Sequence, residues 1–155
     1  MIRYLLILLV ILGFPARMAT ACSDERVILQ GPWGMAEFEA ELALTSDARM
    51  QGLMWRENLP MFSGMLFVFV QPAFQTFWMK NTLIPLDILF FDGDGQLINI
   101  RRNAQPGDLA PQVSNGPAQF VFEINAGMSD RLRIARPTQI LHPLVNGKIE
   151  TCKSE

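Results

Sequence analysis

Residues 37–44 read Glu37-Phe38-Glu39-Ala40-Glu41-Leu42-Ala43-Leu44, and their alternation decides the fold class. Glu37, Glu39 and Glu41 fall on one side of an extended chain, while Phe38, Ala40, Leu42 and Leu44 fall on the other. That is the pattern of a strand with one face buried and one in water. Just downstream, Thr45 or Ser46 can cap a short helix running through Met50, which Gly52 can end in a left-handed conformation. Residues 64–70, GMLFVFV, form a nearly continuous apolar run that suits a strand buried on both faces, and 74–79 and 86–91 read similarly. Asp92-Gly93-Asp94-Gly95 supplies a hairpin turn into 96–101. Three prolines and two glycines without periodicity predict a long surface loop over 103–117. A strand is expected at 119–125, a helical turn at 128–133 after the Gly127 break, and a last short strand at 139–141. Many short strands without alternating long helices predict a mainly β domain, an antiparallel β-sandwich or open barrel with one or two short helices.

The N-terminus reads differently. Arg3 precedes an apolar run over 5–14 that falls short of the roughly 20 residues a membrane span needs. Pro15 ends it, and Ala19-Thr20-Ala21 presents the small-x-small pattern cleaved by signal peptidase. Residues 1–21 are therefore expected to be a cleaved signal peptide, and 22–155 a single β-rich domain exported to the periplasm or secreted. The alternative export route lipidates Cys22, although Ala19-Thr20-Ala21-Cys22 lacks the leucine usual in a lipobox. No second apolar run reaches membrane-spanning length, so no membrane span is expected after signal removal, and the domain is read as a monomer.

Removal of 1–21 leaves eleven basic and fifteen acidic residues, a net charge of −4, which argues against a nucleic-acid partner. Cys22 and Cys152 stand at the two ends of the mature chain. Outside the cytoplasm they can form a disulfide.

Much chemistry is excluded by composition. His142 is the single histidine, so a histidine-rich zinc site cannot form, and a Ser-His-Asp triad would have to use that residue. No G-x-S-x-G is present, and His142, beside Pro143, reads as an incidental surface residue. Asp92-Gly93-Asp94-Gly95 is read as a turn rather than a calcium loop, because Asn103 stands where an EF-hand places its bidentate glutamate. No metal site or cofactor is expected from these residues.

Polar groups set among aromatics and methionines mark the middle of the chain: R-x-x-G-L-M-x-R at 49–56, G-M-L-F-x-F at 64–69, W-M-K-N-T-x-I-P-L-D at 78–87 and E-I-N-A-G at 123–127. In this order and spacing the sequence resembles the domain of unknown function 192 family, from about Leu42 to Leu141. The resemblance implies a compact jelly-roll type β-sandwich, often exported, with no established activity. The chain departs from the family at Ala135-Arg136-Pro137-Thr138, where relatives tend to carry a glycine-aspartate turn.

Three functions fit these motifs. In the first, Arg49, Arg56, Lys80, Asn81, Thr82 and Asp87 gather with Trp55 and Trp78 as walls, binding a small anionic or sugar-like ligand or an envelope component. Asp87 interrupts an apolar run and, if buried, needs a partner, for which Arg49, Arg56 and Lys80 are candidates. In the second, Asp87 and Glu123 meet across the sheet and divide acid and base roles in a hydrolase. In the third, Met54, Met61 and Met65, among seven methionines after residue 21, bind Cu(I) through their thioethers. The binding module is the leading expectation.

Overall fold

The computed structural model describes residues 25–145. The expected signal peptide and the Cys22–Cys152 pairing lie outside the described residues. Strand β1 (Arg26–Gly31) is absent from the sequence reading. It turns through Pro32-Trp33 into β2 (Gly34–Ala43), antiparallel, with Arg26 opposite Glu39 and Gly31 opposite Gly34. The alternation holds from Ala36 to Glu41, with Ala36, Phe38 and Ala40 buried and Glu37, Glu39 and Glu41 facing water, but it fails at the strand's end: Ala43 is buried, and Leu44, expected on the buried face, lies beyond the strand and is exposed.

After α1 (Ser46–Gln51), whose first turn is capped by the Thr45 hydroxyl, β3 (Ser63–Phe77) returns beside β2 in parallel. Parallel neighbours need a long crossover, and residues 44–62 supply it. The remaining elements are β4 (Leu86–Phe91), β5 (Leu97–Ala104), β6 (Gln112–Asn125), α2 (Met128–Arg131) and β7 (Gln139–Leu141). All seven strands form one sheet in the order β5-β4-β6-β3-β2-β1-β7. Its two edges approach each other: Gln96 bridges Gln139, Leu97 N–H donates to Thr138 O (2.8 Å), and Ile140 N–H donates to Gly95 O (2.9 Å). The result is the open barrel, with β2–β3 the parallel exception to an otherwise antiparallel sheet.

Two expectations about chain breaks are corrected. The runs 64–70 and 74–79 are not separate strands, because β3 continues to Phe77 and absorbs Pro72 in a register shift against β6 between Val68 and Ala73. The expected loop at 103–117 shrinks to 105–111, since β5 extends through Ala104 and β6 starts at Gln112. Pro117 sits opposite Phe74 in this outlying β3–β6 arm, where an irregular ladder accommodates it.

Strand alternation divides the core between the two faces of the sheet. Val27, Leu29, Phe38, Leu66, Leu89, Phe91, Leu97, Phe122 and Ile140, drawn from all seven strands, fill the barrel interior. Met65, Phe67, Ile88, Phe90 and Val121 form a second core on the outer face of β3, β4 and β6, covered by Leu53, Met79 and Ile84 from the loops. His142 is buried rather than superficial, a correction whose cause is β7. Once β7 pairs with β1, the chain folds back over the barrel, burying Val145 in the inner core, and His142 Nδ1 accepts from Leu144 N–H (3.1 Å). The Asp92 turn forms as expected, with Asp92 Oδ1 accepting from Asp94 N–H (2.9 Å) and Gln96 N–H (2.8 Å).

Gly64, the first residue of G-M-L-F, has a packing role. A Cβ there would stand 2.5 Å from Glu123 O and 2.7 Å from a Phe122 ring carbon. Relieving that clash requires moving strand backbone, so Gly64→Ala is expected to destabilise the fold by about 1–3 kcal/mol. Urea denaturation checks this, and an unchanged midpoint would contradict the packing described.

Candidate functional site

The outer-face core is incompletely covered. Between α1, the segment 52–54 and the far half of β3 lies a cavity of about 470 Å³, within the usual size of small-molecule sites. Phe67, Phe69, Phe77 and Trp78 supply its aromatic surface, Met50, Leu53 and Met54 its aliphatic surface, and Glu123 of β6 one acidic group. The aromatic wall is rigid. Phe77 packs edge-to-face on Phe67 (5.0 Å between centroids), Phe69 (6.4 Å) and Phe90 (5.9 Å), which ties the cavity to the buried core.

Glu123 is the unusual member. Its cross-strand neighbours are apolar, Met65 on β3 and Ile88 on β4. It is only 4 % exposed and accepts no hydrogen bond from another described residue, yet no side-chain oxygen among the described residues is both fully buried and unpartnered, so the carboxyl keeps a narrow opening into the cavity it lines. Burial in these surroundings pushes the carboxyl up to about 8, so at neutral pH it is mostly a protonated acid with a hydrogen to donate. Arg49, from α1, is the second titratable side chain facing the cavity. Its Nη1 donates to Leu44 O (2.6 Å) and Val68 O (3.0 Å), and its guanidinium lies 5.3 Å from the centre of the Phe69 ring. Lys80 Nζ stands 5.2 Å from the centre of the Trp78 ring.

The loop that carries Lys80 is pinned at several points. Met79 N–H donates to Asp108 O (2.8 Å), Thr82 N–H to Met79 O (3.1 Å), and Trp55 N–H to Asn81 O (2.8 Å). These bonds hold the positive φ of Trp55 (65°) and Asn81 (57°), conformations that non-glycine residues adopt at a cost.

Of the residues expected to form a site, Arg49, Trp78, Thr82 and Glu123 line the cavity, with Lys80 placed on Trp78. Trp55 and Asn81 shape the adjoining loops without lining it. Arg56 lies elsewhere: it pairs with Glu41 (2.5 Å) at a larger crevice of about 710 Å³ flanked by Glu25 and Glu39. Asp87 is also apart, and its expected cationic partners are corrected. Asp87 is fully buried on the inner face of β4; its Oδ1 accepts from Asn103 N–H (2.9 Å), and its Oδ2 from Ser129 N–H (2.9 Å) and Ser129 Oγ–H (2.6 Å). Glu123 points to the outer face alongside Ile88, so the sheet itself separates the two carboxyl groups and no acid–base pair forms.

The three methionine sulfurs have separate surroundings. Asn81 Nδ2 faces Met54 Sδ (4.0 Å), Arg131 Nη1 faces Met61 Sδ (3.5 Å), and Met65 is packed in the outer core. No group of three or more His, Cys, Asp or Glu side chains is placed to hold a metal ion among the described residues.

A profile of the DUF192 family, described as "Uncharacterized ACR", matches residues 28–142. The chain belongs to the DUF192 family. Two solved structures are similar to this DUF192 chain. One is a protein of unknown function from Novosphingobium aromaticivorans, 41% identical, covering 75% of this chain and 83% of its own, with a TM-score of 0.73. The other is a putative transcription regulator from Sinorhizobium meliloti, 38% identical, covering 76% of this chain and 92% of its own, with a TM-score of 0.74. No curated protein matches the chain.

The motifs quoted from the DUF192 resemblance divide between support and cavity. Gly64 allows β3 to pack on β6, and Asp87 anchors α2 to the barrel, whereas Arg49, Phe67, Phe69, Trp78 and Glu123 meet at the cavity. Sequence reasoning missed Phe67, Phe69 and Phe77 as lining residues. Their odd-numbered spacing was a usable signal: Met65 stands opposite Glu123 and Phe67 opposite Val121, which sets one face of β3 against the face of β6 that carries the carboxyl.

Proposed function

We propose that this protein is a small-molecule binding module, working outside the cytoplasm, whose ligand occupies the aromatic cavity on the outer face of the sheet. The observation that carries the reading is the Glu123 carboxyl, nearly buried among apolar neighbours, without a hydrogen bond from the other described residues, where it lines the cavity. A carboxyl largely removed from water that still opens into an aromatic cavity is placed to meet a polar group of a bound molecule. Aromatic walls with one convergent polar group are the usual make-up of a small-molecule site. The expected small anionic or sugar-like ligand fits a cavity that combines stacking surfaces, a hydrogen-bond donor and the polar side chains of Gln75, Thr76 and Thr82. A net charge of −2 for this chain does not favour a polyanionic partner such as DNA.

The test is a thermal-shift screen of aromatic acids, sugars and sugar acids, followed by titration of each hit against Trp78→Ala. Trp78 is half exposed, so its truncation leaves the core intact. Losing a stacking surface worth about 1 kcal/mol beyond its buried area should weaken binding roughly tenfold. Hits whose affinity is untouched by both Trp78→Ala and Phe69→Ala would place the site elsewhere.

A further inference from the structure

We infer that the cavity is selective for a carboxylate: a small organic acid whose apolar body lies among Phe67, Phe69, Phe77 and Trp78, and whose carboxylate accepts a hydrogen bond from Glu123. The inference rests on the cavity being the ligand site and adds the identity of the head group.

An aromatic cavity with a single acidic side chain admits two opposite ligands. If Glu123 were ionised, the site would suit an organic cation held over the ring faces. Two observations favour the other answer. The ring faces already have cations of the protein's own, Arg49 over Phe69 and Lys80 over Trp78. A cationic ligand would meet like charge at both, whereas an anion meets opposite charge. The carboxyl itself has Met65 and Ile88 as cross-strand neighbours and no cation paired with it among the described residues, surroundings that hold the neutral acid. A neutral acid donates an O–H. Its best acceptor is an anionic oxygen, since hydrogen bonds to an ionised partner are roughly twice as strong as neutral ones.

Among the described residues no second acidic side chain lines the cavity. Strand neighbours Met65 and Ile88 are apolar, Thr82 of the loop is uncharged, Arg49 of α1 lines the cavity, and Lys80 lies over the Trp78 ring that forms part of its wall. With burial holding the carboxyl near 8, the donor is present below that pH and lost above it. A bound carboxylate then faces a second negative charge.

The experiment uses three probes with one body: 2-naphthoate, 2-naphthamide and 2-naphthylmethylamine, titrated by tryptophan fluorescence and calorimetry from pH 6 to pH 9. Naphthoate is expected to bind tightest at pH 6 and to weaken at least tenfold by pH 9. In Glu123→Gln, whose amide N–H donates at every pH, naphthoate affinity should become nearly independent of pH. Tighter binding of the amine with rising pH, or the same naphthoate profile in wild type and Glu123→Gln, would overturn the carboxylate assignment. Naphthamide separates this failure from failure of the cavity itself: amide binding that Trp78→Ala weakens, without a naphthoate preference below pH 8, removes only the head-group inference. No binding of any probe at millimolar concentration removes both.

Discussion

Raising the pH from 5 to 9 is expected to destabilise the folded protein by about 4 kcal/mol through Glu123 alone. The carboxyl titrates at an ordinary 4.5 when unfolded and at about 8 when buried, because desolvation disfavours its charged form. Between those values the folded state holds a proton that the unfolded state has released, so each rise in pH favours unfolding. The stabilising proton is fully present in both states below 4.5; the cost accumulates from there to about 8, and no further loss comes from this group above that. Chemical denaturation at pH 5, 7 and 9 for wild type and Glu123→Gln checks this, since the glutamine does not titrate and the difference between the two profiles isolates one residue. Parallel profiles would show that Glu123 is solvated and would undercut the cavity as drawn. Glu123→Leu is expected to be the more stable protein at pH 9, with its ligand response lost.

Removing Asp87 should do comparable damage by another route. Asp87→Ala abolishes three hydrogen bonds at a fully buried position and leaves Asn103 N–H, Ser129 N–H and Ser129 Oγ–H unsatisfied. With unsatisfied buried groups costing about 1–3 kcal/mol each, and partial relaxation of the α2 turn, a loss of about 3–5 kcal/mol is expected. Ser129→Ala removes one of the three and should cost about 1 kcal/mol. The readout is the urea midpoint together with amide hydrogen exchange at Asn103 and Ser129, both of which should lose protection in Asp87→Ala. A variant with wild-type stability and intact exchange would mean that Asp87 does not anchor α2. Ligand binding by folded Asp87→Ala should remain, because the cavity lies across the sheet.

These two carboxyl groups illustrate how far the chain can be read without its fold. Each interrupts an apolar strand, a local pattern visible in the sequence, and each is therefore marked as a residue that must find a partner or a purpose. Whether they meet depends on the pairing of β4 with β6. That register places Asp87 opposite Ile124 and Ile88 opposite Glu123, sending the two acids to opposite faces. A shift by one residue would have reversed one of them, and nothing within either strand specifies that offset.

The sequence by itself determined the local features. Alternation over Glu37–Glu41 required a half-buried strand, Thr45 and Gly52 bounded α1, and the Asp92 turn followed from its own glycines. Period and turn chemistry act over a few residues, so they survive without tertiary context. The parallel return of β3 beside β2, the continuation of β3 through Pro72, the burial of His142 and the separation of Arg56 from Arg49 were decided only by the tertiary structure. Each depends on which strand becomes a neighbour, and strand partners are chosen by burial and register over distances in sequence that no local pattern spans. The cavity belongs with these, since its walls come from α1, β3, the loop after β3 and β6, and only the curled sheet brings them to one place.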